Sequence, residues 1–286
     1  MKRSHWLDAS ARLDADTDFV EIYRQVVAYE FPWDMNQALS FALFRTYAVP
    51  SIGRLLDQTG EFQNRTQKRY DDTALILETP GRYGFDHPES RAAIRRMNQM
   101  HKAYDISNDN MRYVLSTFVV TPVRWLEKYG KRRMTEHEIK ASVNYYRELG
   151  RHMNISDIPG SYREFAGLLD SYEAQHFGYD EGSRRVADAT LKLLLTFYPA
   201  VAAKPVEAFS RALMDPPLRE SLGYAAPPAF VQWASHAALR ARGRLLRWAP
   251  ARKTAKNVID LPYVRSYPNG YDVEELGTFP GSRCPV

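Results

Sequence analysis

Apolar residues recur at intervals of three and four positions from Phe19 to Trp248, and runs that alternate apolar with polar residues are scarce. Such spacing lines one face of an α-helix with apolar side chains, whereas a half-buried strand needs strict alternation. The sequence therefore predicts an all-α protein. The predicted helices span residues 17–29, 34–47, 51–59, 66–79, 89–104, 109–129, 135–153, 161–177, 182–198, 205–214 and 228–248.

Several of these segments carry signals for where a helix begins or ends. Thr135 followed by Glu138 is a capping box, in which each residue satisfies a free amide of the other. Asn108 and Asp109 are suitable caps for the helix that follows them, and Pro88 suits a first helical turn. Pro122 lies inside the predicted helix 109–129, so we expect a kink or a division there.

The last part of the chain differs in character from the rest. Residues 258–286 carry no helical spacing and are rich in residues that break helices, namely Pro262, Pro268, Gly270, Gly277, Pro280, Gly281 and Pro285. We expect one large, globin-like multi-helical domain over residues 1–257, followed by an extended tail, 258–286, that packs on it.

Charge and cysteine content exclude several classes of protein. The formal net charge of +5 is modest, and basic residues concentrate in 240–256, so the sequence predicts no nucleic-acid partner. Cys284 is the only cysteine, which excludes an internal disulfide and any multi-cysteine metal site. The chain has no secretory signal and no apolar run of ~18 residues that could span a membrane. These features predict a cytoplasmic protein.

The predicted helix 228–248 combines apolar and basic side chains, and two interpretations of it stay open. It could lie on an anionic membrane surface, which would suit a lipophilic ligand and make the protein peripheral to the membrane. The alternative, which the sequence favours, is a core helix whose cationic end is stabilised by the helix dipole.

One histidine lies among apolar residues on the predicted helix 89–104. Helical spacing places five residues on one face, namely Ala93, Met97, Met100, His101 and Tyr104. A neutral imidazole in a dry pocket is suited to bind iron through a free ring nitrogen. The commoner outcome is a core histidine that is hydrogen-bonded to a carbonyl oxygen, and the residues alone favour that interpretation.

The preceding helix adds a cation, a carboxylate and a hydroxyl, from Arg69, Asp72 and Thr73. At helical spacing we expect the three to lie on one face, where they could stabilise negative charge and transfer a proton. The alternative is a surface ion pair with Thr73 merely facing inward.

Together the two helices resemble a known family. The layout Arg69-x-x-x-Thr73, then Arg96-x-x-x-x-His101 about thirty residues later, is similar to that of haem-b oxygenases of the mpaB and rubber-oxygenase (latex-clearing protein) family, closest to its mpaB-like branch. The similarity covers roughly residues 60–280 and continues through short segments at 104–109, 121–130, 146–150, 153–159, 267–271 and 275–277.

The resemblance implies haem b in an all-helical fold, with His101 as the proximal iron ligand. Arg69 and Thr73 would then lie on the distal side, where molecular oxygen meets the substrate. Family members cleave carbon–carbon double bonds of isoprenoid chains, so we expect a haem-dependent oxygenase that acts on a small lipophilic substrate. Asp72 departs from the rubber oxygenases, which carry a lysine there; whether it relays protons instead is a hypothesis.

Two further arginines are candidates for the cofactor site. Arg96 lies in the motif itself, and Arg124 could pair with a haem propionate or form an internal salt bridge with Glu127. A different class of function also stays open, namely a non-catalytic helical protein that keeps the fold and binds a ligand. A non-haem metal hydrolase is the poorest alternative, because the sequence lacks clustered ligands.

Overall fold

The all-α prediction is confirmed by the computed structural model, which describes residues 1–277 and contains no β-strand among them. Cys284 and the rest of 278–286 lie outside the described residues. The fourteen α-helices of the described chain are α1 (His5–Ser10), α2 (Phe19–Arg24), α3 (Pro32–Tyr47), α4 (Pro50–Gln58), α5 (Glu61–Asn64), α6 (Thr66–Tyr83), α7 (Pro88–Lys102), α8 (Asn108–Tyr129), α9 (Glu136–His152), α10 (Tyr162–His176), α11 (Glu181–Leu195), α12 (Ala203–Leu213), α13 (Pro216–Ser221) and α14 (Ala229–Leu246).

All eleven predicted helices are present, the first as α2 continued by a π-helical turn over Gln25–Glu30. The three helices that the spacing missed, α1, α5 and α13, have four to six residues, which is too short for a periodic pattern. Of the two outcomes expected at Pro122, a kink or a division, the division is wrong, since α8 is continuous through it. A proline removes one backbone hydrogen bond, and twenty-two residues of packed helix outweigh that loss.

The caps follow the sequence signals with one correction. The capping box of α9 is confirmed, with Thr135 Oγ1 accepting from the Glu138 amide at 3.1 Å and Glu138 Oε2 accepting from the Thr135 amide at 2.8 Å. The cap of α8 is Ser107 rather than Asn108 or Asp109: its hydroxyl oxygen accepts from the Asn110 amide at 3.1 Å.

The helices pack in pairs around one large apolar core. α3 and α10 both pack against α8, and α2 lies against α9. Large side chains that are fully buried fill the centre, including Tyr113, Tyr145, Phe165, Leu126 and Leu149. α6 and α7 also pack together, which brings the helix of Arg69 and the helix of His101 side by side.

After α14 the chain crosses the helical body as irregular structure with two short 3-10 turns, Val258–Asp260 and Val273–Glu275. Asp71, fully buried on α6, holds the middle of this segment. Its Oδ2 atom accepts from the Arg265 amide at 3.1 Å, the Ser266 amide at 3.0 Å and the Ser266 hydroxyl at 2.7 Å. The expectation of a tail laid over the helices thus has a physical basis, while its division from a domain at residue 257 stays a prediction.

Asp72, the next residue of α6, holds the tail at two further points. Its carboxylate accepts hydrogen bonds from the Tyr267 hydroxyl and from the Gly277 amide, the latter at 3.0 Å. Lys68, one turn earlier, completes the set with an ion pair of 2.7 Å. A buried carboxylate is stable only when its oxygens are hydrogen-bonded, so α6 and the tail depend on each other.

We predict that Asp71→Asn lowers the free energy of unfolding by about 2–4 kcal/mol. Both Asp71 oxygens accept hydrogen bonds, Oδ1 from Gln67 and Oδ2 from the tail. The asparagine side chain would therefore have to turn its NH₂ group towards a donor, and at least one hydrogen bond would be lost. Denaturant unfolding monitored by circular dichroism measures the change. The control is Asp260→Asn, the same replacement at an exposed tail residue. Equal stability of the two variants would contradict the anchoring role.

Candidate active site

His101 lies in the last turn of α7 and is partly buried. Its Nδ1 atom is buried and has no hydrogen-bond partner within residues 1–277. Burial, reinforced by the nearby Arg69 cation, lowers the pKa of His101 to about 4. The imidazole is therefore neutral at physiological pH and keeps a buried nitrogen that no carbonyl satisfies, as a metal ligand requires.

Arg69 and Thr73 contact each other one turn apart on α6. The Arg69 guanidinium donates to Thr73 Oγ1, and the Thr73 hydroxyl donates to the Arg69 carbonyl oxygen at 2.8 Å. The guanidinium also lies over the ring of Phe62, 5.6 Å from its centre. No carboxylate of the described chain pairs with Arg69, so a partly buried positive charge remains near His101.

A cavity of about 810 Å³ lies beside this pair, within the range typical of small-molecule sites. Thr73, Ala74 and Leu77 of α6 form part of its wall. Apolar side chains from α3, α8, α9 and α12 form much of the rest, including Leu39, Phe41, Leu43, Phe118, Leu149, Val206 and Phe209. The described residues that line the cavity do not include His101 or Arg69. Thr73 thus lies in the cavity wall and also contacts Arg69, whose charge lies near His101.

Asp72 and Arg96 face the tail instead of the cavity. Asp72 is 2% exposed and its hydrogen bonds run to Lys68 and the tail, while Arg96 Nε donates to the Leu276 carbonyl oxygen at 2.5 Å. The expected single cluster of Arg69, Asp72 and Thr73 is therefore divided. Neighbouring helix positions differ by about 100° around the axis, which directs Asp72 away from Thr73.

Arg124 lies apart from these residues, on the outer side of α8. It forms a two-pronged ion pair with Asp170, each N–O distance being 2.7 Å, and both side chains are substantially exposed. Its predicted alternative partner, Glu127, contacts Arg133 instead. Arg124 is thus paired with Asp170 and does not line the cavity, and its role in a cofactor site stays a prediction.

Glu78 is a residue that the sequence did not single out. It lines the cavity one turn beyond Ala74, and its Oε1 atom accepts from the Val258 amide of the tail at 2.5 Å. Burial raises the pKa of Glu78 to about 7, although the Val258 hydrogen bond opposes the shift. Its position on the face of α6 that carries Thr73, Ala74 and Leu77 is the signal that could have identified it.

Comparison with known proteins identifies the family of this chain. Residues 34–248 match the family model described as "ER-bound oxygenase mpaB/B'/Rubber oxygenase, catalytic domain". The chain belongs to this family.

Similarity to individual proteins supports the same family membership. The chain is 28% identical over 272 residues to the "ER-bound oxygenase mpaB'" of Penicillium brevicompactum, an alignment that covers 86% of this chain and 64% of that protein. It is 29% identical to the "ER-bound oxygenase mpaB" of Penicillium roqueforti, with 73% and 76% covered. For mpaB of P. brevicompactum the identity is 30%, with 74% and 59% covered. The chain thus spans less than two thirds of both P. brevicompactum relatives.

The ligands available in the described chain suit haem iron. Residues 1–277 contain no group of three or more histidine, cysteine, aspartate or glutamate side chains that could hold a metal ion. A haem iron takes four ligands from the porphyrin, so one histidine suffices to hold it from the protein. His101, neutral and with an unpartnered buried nitrogen, fits that requirement.

We predict that Glu78 makes the protein less stable as pH rises from about 4.5 to about 7. Because the pKa is raised on folding, the folded state keeps a proton that the unfolded chain releases in this range. The free energy of unfolding, relative to Glu78→Gln, should fall by up to about 3 kcal/mol across the range. Urea unfolding at several pH values measures it.

The control is Glu89→Gln, which removes an exposed carboxyl group from α7. If the free energy of unfolding of the wild-type protein changes with pH in the same way as that of Glu78→Gln, Glu78 takes up no proton on folding.

Proposed function

We propose that the protein is a haem-b-dependent oxygenase that uses molecular oxygen on a lipophilic, isoprenoid-like chain. The observation that carries the proposal is the buried Nδ1 atom of His101, which has no partner in the described chain. Leaving a buried polar atom unsatisfied is unfavourable, so its persistence in a member of an oxygenase family supports a ligand role.

In this proposal His101 holds the iron, and its low pKa keeps the imidazole deprotonated and able to bind. The haem, when bound, supplies the activation of oxygen that side chains cannot provide. Arg69, which lacks a carboxylate partner among the described residues, stabilises negative charge that develops near it. Thr73 fixes the guanidinium through its hydroxyl oxygen while its side chain meets the cavity.

The cavity is the proposed substrate chamber. Its apolar walls from α3, α8 and α12 bind a hydrocarbon chain by removing that chain from water. Thr73 brings one wall of the chamber next to Arg69. Asp72 is excluded from the reacting groups of this proposal because its carboxylate is engaged with Lys68, Tyr267 and Gly277.

We predict that the protein purified after expression with added haem precursor shows a Soret band and that His101→Ala loses most of it. The control is His5→Ala, which removes an exposed histidine of α1. A protein that stays colourless after haem is supplied, or a His101→Ala variant that keeps the full band, would contradict the proposal.

The second candidate, a non-catalytic ligand-binding protein, is favoured by the size and apolar walls of the same cavity. Oxygen consumption by the haem-loaded protein separates the two functions. An oxygen electrode with two isoprenoid chains, the hydrocarbon squalene and an isoprenoid acid, should record substrate-dependent uptake for at least one of them. Bound haem without uptake for any isoprenoid chain would favour the binding protein.

We also propose that α14 attaches the protein to a membrane surface. No helix of the described chain is long and apolar enough to cross a membrane. Four large apolar side chains on or just beyond α14 are at least 71% exposed, namely Phe230, Trp233, Leu245 and Trp248. They recur at helical spacing beside the exposed Arg240, Arg244 and Arg247, which suits insertion among anionic lipid head groups. The relatives in Penicillium carry the description "ER-bound".

We predict that the protein sediments with vesicles of phosphatidylserine and phosphatidylcholine, and that the double variant Trp233→Ser, Trp248→Ser lowers this binding about tenfold. High salt should weaken binding because it screens the arginines. The control is Tyr179→Ser, an aromatic residue 61% exposed outside α14. Equal binding by the double variant and the control would contradict attachment through α14.

A further inference from the structure

One end of the cavity carries an excess of positive charge. We propose that this end binds the carboxylate head of an amphipathic acid, whose apolar chain occupies the rest of the cavity. The inference rests on the proposed function in taking the cavity as the substrate chamber. It narrows the substrate class from a lipophilic chain to a long-chain or isoprenoid acid.

Three segments meet at this end. The Lys256 amide, two residues before the tail, donates to the Ala28 carbonyl oxygen of the π-helical turn at 2.9 Å, and the Val258 amide donates to Glu78 of α6. Gly81 of α6 packs closely on the ring of Tyr23 at the start of the same region. One end of the cavity is therefore enclosed by three segments, namely the second half of α6, residues 23–28 and residues 252–258, which lead into the tail.

Each of these segments contributes a basic side chain to the cavity lining, and together they supply Arg24, Arg82, Arg252 and Lys256. Arg24 forms an ion pair with Glu21 at 2.7 Å. Within residues 1–277 no carboxylate lies in ion-pairing distance of Arg82, Arg252 or Lys256. The Arg82 guanidinium lies over the Tyr83 ring, 4.9 Å from its centre. Their charges are available to a ligand.

Acidic groups at this end are too few to balance the cations. Glu78 is the one carboxyl group among the described residues that line the cavity, so the three cations without an ion pair outnumber it even when it is ionised. Asp260 lies near Glu78 and receives a hydrogen bond from Asn257 at 3.0 Å. This excess of positive charge favours an anionic ligand group, to which arginine donates charge-assisted hydrogen bonds.

The far walls suit the other part of such a ligand. Leu194, Phe197, Val206 and Phe209 of the α11–α12 region are apolar and line the same space. Thr73 and Arg82 are nine positions apart on α6, which corresponds to about 13 Å along the helix axis. A carboxylate held at Arg82 therefore places a distant part of its chain beside Thr73, where the proposed oxygenase reaction would occur.

Equilibrium binding of two matched ligands tests the inference. Radiolabelled oleic acid and oleyl alcohol have the same chain and differ in the head group. At pH 8 the wild-type protein should bind the acid at least about tenfold more tightly, since only the carboxylate can accept charge-assisted hydrogen bonds from the basic side chains. The double variant Arg82→Gln, Lys256→Gln should lose this preference, while Lys253→Gln, an exposed neighbour that does not line the cavity, should keep it.

Equal affinity for acid and alcohol, no binding of either, or a preference that survives in the double variant would overturn the inference. A double variant that loses haem uptake yet still prefers the acid would also overturn it, because the cations would then serve the haem propionates. His101→Ala separates the two proposals. It should lose haem while retaining the preference for the acid.

Discussion

The adjacent buried carboxylates of Asp71 and Asp72 determine how the tail and the helical body fit together. One binds the backbone at residues 265 and 266, and the other binds Tyr267 and the Gly277 amide. A carboxylate removed from water needs most of its acceptor sites filled, and the tail supplies the donors. This mutual requirement fixes the path of residues 265–277, which have little regular structure of their own.

The candidate site depends on that path at both ends. Earlier in the tail, Val258 binds Glu78 and closes one end of the cavity. Later, Leu276 binds Arg96, and Gly277 lies so close to Met100 that a Cβ atom would meet its sulfur at 2.1 Å. Gly277 also has a positive φ of 76°, which glycine adopts without strain. The end of the tail therefore packs against α7, the helix that contains His101.

The sequence was sufficient for local features and insufficient for those set by distant contacts. Helical spacing identified every helix of nine or more residues, and it placed His101 on an apolar face. The orientation of Asp72 escaped it because the tail residues that bind this carboxylate lie about two hundred positions away. The partner of Arg124 escaped it too, since Asp170 belongs to another helix. Glu78 was missed because only the folded cavity shows that its carboxyl group is buried.

Electron spin echo spectroscopy of the ferric protein tests the proposal that His101 binds iron. Protein labelled with ¹⁵N-histidine should show coupling between the iron and one histidine nitrogen. We predict that the coupling disappears in His101→Gly and that unlabelled imidazole, added to fill the space, restores the haem signal without the ¹⁵N coupling. A ¹⁵N coupling that persists in His101→Gly, or wild-type protein that binds haem without any histidine coupling, would contradict it.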